Sequence, residues 1–185
     1  MTLGTALSLA FGIGWLPMFV FRAEALTQAL PRYTPSERLW ATLTPGVLAL
    51  HTTGVCVTLS LTSDIACWSA GLGLALFGSA IAFWFWGRRM IGPLRVRRLP
   101  DDPPLRLQRK GAFGIVRHPL FCSYLVAAAA PVAVIPRPRF LLTLALCCVA
   151  VTVRAFQEEQ RLRAQVGPPY EIYCRQVKRL IPFVW

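Results

Sequence analysis

Two short stretches of this 185-residue chain gather polar groups that are scarce elsewhere in it. Gly111-Ala-Phe-Gly-Ile-Val-Arg-His-Pro119 sets an arginine and a histidine before a proline, and Arg154-Ala-Phe-Gln-Glu-Glu159 sets an arginine before two carboxylates. Arg154 and Glu158 are four residues apart, so a helix places them on one face. By itself that pair fits a solvated helix end. Beside Arg117-His118-Pro119 that reading loses ground to a functional site at this end of the helices.

The elements that must position these groups are apolar. Residues 1–21, 39–63 and 65–87 contain no Lys, Arg, Asp or Glu, and the whole chain is 15% charged where a soluble domain carries about 25%. Its mean hydropathy is +0.51. A helix needs roughly 20 apolar residues to cross the hydrocarbon layer. Two further apolar stretches, 119–136 and 140–153, flank Arg137-Pro138-Arg139, which reads as the turn of a helical hairpin. The expected fold is therefore an all-α, polytopic membrane bundle of about five spans, near 2–21, 40–62, 65–87, 119–135 and 140–156. It forms a single domain, 1–185. Three spans fill 1–87, a basic cytosolic loop 88–118, a transmembrane hairpin 119–156, and a cytosolic helical tail 157–185. That hairpin brings both polar clusters to one end of the bundle.

The net charge of +12 would point to nucleic acid in a soluble protein. Here position argues otherwise. Nine basic side chains crowd 88–118, six more follow from Arg154 onward, and Arg22, Arg32 and Arg38 join them if there are five spans. Only Arg137 and Arg139 fall opposite. The positive-inside rule then sets the N-terminus outside and the C-terminus in the cytosol. The bilayer, rather than nucleic acid, is the expected partner of this charge. The membrane would be the cell (inner) membrane in a prokaryote or the endoplasmic reticulum in a eukaryote.

Other features are quieter. Trp15, Trp40 and Trp68 are expected near span ends as an aromatic belt, and Gly71–Gly78 as a small-residue packing stripe. His51 is expected to be a hydrogen-bonded structural residue. The six cysteines show no paired spacing, so no metal site is expected. The helix leaving the fifth span should run to about Val166 and stop at Gly167-Pro168. A second helix should follow, with Tyr170, Tyr173 and Val177 on one face.

The ordered string Gly111…Phe113…Arg117-His118-Pro119-x-Phe121, Arg154…Glu158-Glu159, Gly167-x-x-Tyr170-x-x-Tyr173 and Val177…Arg179-x-Ile181-Pro182 resembles the isoprenylcysteine carboxyl methyltransferase family. Related phospholipid methyltransferases share much of the pattern, and the match spans roughly 105–183. The resemblance implies S-adenosyl-L-methionine as cofactor and a lipophilic acceptor arriving from the membrane. It implies a cofactor pocket closed by the loop before Arg117 and by the C-terminal tail. Cofactor contacts would fall on Leu105, Arg106, Leu107, Gln108, Phe113, His118, Pro119, Leu120, Phe121 and Glu158. Arg154 would be the substrate-side, catalytic arginine. Three positions depart from the family pattern: Phe121 replaces a tyrosine, Ser123 a glycine, and Leu105 a frequently polar residue.

The residues suit that chemistry. Glu158 matches an α-ammonium, His118 can donate to ribose or carboxylate oxygens, and Phe113 and Phe121 can stack on adenine or face the sulfonium. Two alternatives share parts of the pattern: an NADPH-dependent membrane steroid or enone reductase, and a phospholipid amine N-methyltransferase. The first family usually shows Arg-His-Pro-Asn-Tyr, where this chain has Leu120-Phe121.

The charge distribution yields a direct test. A reporter fused after Trp185 should read cytosolic and one fused at Met1 external; both ends reporting one side would require an even number of spans.

Overall fold

The structure is a computed structural model that describes residues 2–29, 33–91 and 107–182. Among these residues its regular elements are all helices: α1 (Leu3–Ala29), α2 (Pro35–Ser60), α3 (Cys67–Ile91), a one-turn α4 (Ala112–Ile115), α5 (Pro119–Val134), α6 (Pro138–Val166) and α7 (Pro168–Gln176). Four helices, α1, α2, α3 and α6, are long and apolar enough to cross a membrane. The chain is a multi-pass membrane protein. With 16 residues, α5 reaches about 24 Å at 1.5 Å per residue. It is the most enclosed of the long helices and packs against α2, α3 and α6.

Local chemistry sets most helix ends. Thr34 caps α2 in a reciprocal capping box: its Oγ1 accepts from the Glu37 N–H, and Glu37 Oε2 accepts from the Thr34 N–H at 2.8 Å. Proline opens α2, α5, α6 and α7, where its missing N–H has no helical partner to lose. Arg88 and Arg89 lie in the last turn of α3, against the negative end of its dipole. Gly167 separates α6 from α7 at φ +71°, ψ −143°, close to backbone that glycine alone adopts readily.

The helices alternate in direction. At one end, a Cβ added to Gly4 of α1 would meet the carbonyls of Leu59 at the end of α2 and Thr62 just beyond it, and Arg139 at the start of α6 donates to Thr58 Oγ1 at 3.0 Å. The start of α3 meets the end of α5 there, through Gly73 and Val134. At the other end Phe21, Tyr33, Ile91, His118 and Glu158 line a single cavity. The start of α1 and the tail after α6 thus lie at opposite ends of the bundle.

Several expectations need correcting. Trp15 is not an interfacial residue: it is 1% exposed and stacks on Phe19 and Tyr124 at 5.2 and 6.2 Å. It falls mid-helix because α1 continues eight residues past the uncharged run. The glycine stripe works at one point in this helix pairing; Gly73 touches α5, whereas a Cβ on Gly71 or Gly78 would meet nothing. Val177 lies just beyond α7, not on its face. The Pro- and Arg-rich segment 92–106 lies outside the described residues.

His51 is buried, as a structural histidine should be. Its Nε2–H donates to the Ala128 carbonyl at 3.0 Å, which leaves Nδ1 to accept from Thr143 Oγ1 at 2.7 Å. Those two bonds tie α2 to α5 and α6.

The α3–α5 contact predicts a stability effect. A Cβ at Gly73 would lie 2.3 Å from Val134 Cγ2 and 3.1 Å from the Ala130 carbonyl. Gly73→Val should destabilise by about 1–3 kcal/mol, as overpacking does, while Gly71→Ala should not. Thermal unfolding in detergent checks this, and equal midpoints for the two variants would count against the close contact.

Candidate functional site

The Arg-His-Pro segment is held in place by backbone and side chain together. Arg117 N–H donates to the Lys178 carbonyl at 2.8 Å, and His118 N–H to the Arg179 carbonyl at 3.1 Å. Val116 and Lys178 form a parallel bridge. The tail beyond α7 thus returns to the residues that lead into α5. Behind it, the Tyr173 hydroxyl donates to the Phe113 carbonyl at 2.6 Å, and Arg109 Nη2 to the Pro169 carbonyl at 2.8 Å. Burial pushes the Tyr173 hydroxyl up to about 12, so it keeps its proton and its role as donor.

Glu159 is the centre of this arrangement. Its side chain is buried, and its Oε1 accepts from Arg117 Nε at 2.9 Å and Nη2 at 2.7 Å. Arg179 approaches as a fork, Nε to Oε1 at 2.9 Å and Nη2 to Oε2 at 2.8 Å. His118 Nε2 reaches Oε1 at 3.3 Å. A carboxylate only accepts, so the shared proton belongs to His118 Nε2. The other ring nitrogen, Nδ1, lies 3.9 Å from Glu158 Oε2. Nε2–H is thus committed to Glu159, and Nδ1 is the nitrogen left to meet a ligand.

In front of the clamp lies a cavity of about 340 Å³. Among the sequence-predicted residues, Phe113, His118, Pro119, Leu120, Phe121, Arg154 and Glu158 all line it. Leu107 and Gln108 do not; Gln108 turns its amide to Met90 Sδ at 3.5 Å. Leu105 and Arg106 lie outside the described residues. Of the tail 157–185, the α6 part lines the cavity through Glu158, Arg161, Leu162 and Gln165, whereas no described residue after Gln165 is among its walls. That later part supports the wall from behind instead.

The side chains around the cavity differ sharply in how well they are partnered. Phe121 stacks on His118 with ring centres 5.5 Å apart, and Arg22 lies 5.8 Å from the Phe121 ring centre. Arg154 is 3% exposed. It donates to Gln157 Oε1 at 2.7 Å and to the Tyr33 hydroxyl at 3.3 Å, and its Nε has no partner. The Tyr33 ring also receives Arg161, which pairs with Glu37 at 3.1 Å and joins α6 to the start of α2. Glu158 is half-exposed.

Arg22, Tyr33 and Arg161 were not singled out by the sequence. For Arg22 a signal existed: it breaks a 21-residue uncharged run inside a segment, Phe21-Arg-Ala-Glu-Ala-Leu, whose composition continues a helix. An arginine there sits within α1, not after it.

Removing the buried carboxylate tests the clamp. Glu159→Gln leaves two guanidiniums without a counter-charge, and breaking a buried pair costs about 3–5 kcal/mol. The variant should unfold more easily, and its tail should become open to trypsin at Arg175, Lys178 and Arg179. A tail as protected as in the parent chain would show that Glu159 does not hold it.

Comparison with known protein families, with curated proteins and with solved structures finds no match for this chain.

Proposed function

We propose that this chain is a membrane-embedded methyltransferase. In this reading it uses S-adenosyl-L-methionine to methylate the carboxylate of a lipophilic acceptor, an isoprenylcysteine-like or other isoprenoid acid, at the cytosolic membrane face. One observation carries the reading. A single cavity at the polar end of the bundle joins the half-exposed Glu158 carboxylate, the His118 imidazole, the Phe113 and Phe121 rings and the Arg154 guanidinium.

The residues fit the cofactor. Small-molecule sites occupy about 300–1,000 Å³, and the cavity, at about 340 Å³, falls at the lower end of that range. Glu158 would take the ammonium, His118 Nδ1 would hydrogen-bond a ribose hydroxyl, and the two rings would face adenine or the sulfonium. When bound, the cofactor supplies an electrophilic methyl on a sulfonium, and passing it to a carboxylate oxygen converts two opposite charges into a neutral ester and a neutral thioether.

The protein's part is positioning. Arg154 holds a carboxylate already ionised, so no side chain has to remove a proton. The rings and helix ends keep bulk water from the reacting groups, which favours a step that cancels charge. A water-soluble cofactor and a lipid-soluble acceptor must meet where the two phases meet, and helix ends are that place.

The test uses detergent-solubilised protein. Calorimetric titration should show binding of S-adenosylhomocysteine and none of NADPH. With methyl-labelled cofactor and farnesoic acid, label should enter the lipid and be released as methanol by alkali, as an ester requires. Glu158→Ala should weaken S-adenosylhomocysteine by roughly ten- to a hundred-fold, the worth of a charge-assisted hydrogen bond. Binding of NADPH instead, or alkali-stable label, would transfer the reading to a reductase or to an amine N-methyltransferase.

A further inference from the structure

Arg22 and Arg154 come from the first and last long helices, 132 positions apart, yet they line the same cavity. They are close enough for their charges to interact unfavourably, while Arg22 also feels the carboxylate of Glu158 and Arg154 that of Glu37, each at longer range. Neither has a carboxylate within 4 Å among the described residues. The other cations around the cavity are compensated: Arg117 binds Glu159, and Arg161 binds Glu37. Arg154 spends its bonds on neutral oxygens, of Gln157 and Tyr33, and its Nε is buried with no partner. Arg22 Nη2 is likewise buried with no partner. Two like charges, each with an unused buried donor, share one wall. That is a costly arrangement unless an anion completes it.

The floor beneath the pair is apolar. Arg22 also borders a small void of about 10 Å³ walled by Trp15, Met18, Phe19, Leu48 and Tyr124. Arg154 lies one helical turn deeper than Glu158 along α6, on the same side of the cavity as the apolar core. A cationic or neutral head would find unsatisfied donors here; an anionic head on an apolar tail finds partners for both ends.

We infer that Arg22 and Arg154 together form a two-guanidinium seat for the carboxylate of the lipophilic acceptor, with Arg22 the acceptor-binding residue that no motif marks. This rests on the methyl-transfer reading and deepens it. One guanidinium on each carboxylate oxygen fixes the plane of the group, which a single arginine does not. The seat selects acids over amines, because a protonated amine meets two like charges. The chemistry it recognises is a carboxylate, and the cofactor carries one as well, so the test must separate the two sources.

The test reads binding without cofactor, in non-ionic detergent at neutral pH, with two probes of matched tail, farnesoic acid and farnesylamine. The acid should bind and the amine should not. Arg22→Gln and Arg154→Gln should each weaken the acid by about ten-fold or more, as loss of a charge-assisted pair does. S-adenosylhomocysteine affinity should stay within about two-fold, below what losing one such bond would produce. Arg22→Lys keeps the charge in case the glutamine variant fails to fold; it should still bind the acid about five-fold more weakly, since an ammonium lacks the fork. Equal binding of acid and amine, or full acid affinity in Arg22→Lys, overturns the seat. Loss of S-adenosylhomocysteine in Arg22→Gln as large as the loss of acid assigns Arg22 to the cofactor and overturns it too. If the parent chain transfers no methyl group yet binds the acid through Arg22, the enzymatic reading fails and the seat stands.

Discussion

The carboxylate of Glu159 is the point on which the polar end of this protein depends. Moving a carboxylate out of water costs several kcal/mol, recovered only when its lone pairs are filled with good geometry. Arg117, Arg179 and His118 fill them, from the start of α5 and from the segment beyond α7. A single group therefore fixes three stretches of chain and also commits the Nε2–H of His118. Nδ1 is the ring nitrogen left for the cavity. The ligand chemistry open to His118 is thus decided outside the cavity, by a residue that does not line it.

The bilayer imposes the second constraint. Within hydrocarbon the backbone must satisfy its own polar groups, so the spans are helices, and irregular chain collects at the ends. Alternating helix directions bring the end of α1, the start of α2, the end of α3, the start of α5 and the end of α6 to one level. A cavity at that level draws side chains from α1, α3, α4, α5 and α6, and from the short segments before α2 and α5, without any loop having to penetrate the bundle. Extension of α1 and α6 past their apolar runs supplies the walls.

Composition and periodicity carry the helical architecture well, because apolar length is a direct physical requirement for crossing a membrane. Arg154, Glu158, His118 and Phe121 were legible as neighbours since each lies within about two turns of the end of an apolar run. What the sequence hid was rotation and depth. Trp15 reads as interfacial until α1 is seen to run on to Ala29, and Arg22 reads as a loop charge for the same reason. Gln108 lies close in sequence to the lining residues, yet contacts Met90 instead. Glu158 and Glu159 are adjacent and chemically alike, but a helix turns successive residues about 100° apart. One faces the cavity and the other the clamp; the four-residue spacing to Arg154 marks Glu158 as the first, while nothing in the sequence marks Glu159 as the second.

The clamp also imposes an order on biosynthesis. Arg117 and His118 leave the ribosome before α5, Glu159 only near the end of α6, and Arg179 after every span has been made. At about 5–20 residues per second the hairpin can be inserted seconds before its partner arrives. In that interval Arg117 has no buried carboxylate to meet, and it stays hydrated at the membrane surface. The polar end of the protein is thus assembled last, from the C-terminal side, on a bundle already in the bilayer. A ribosome that stops short of Arg179 releases a chain that is inserted but has no finished site.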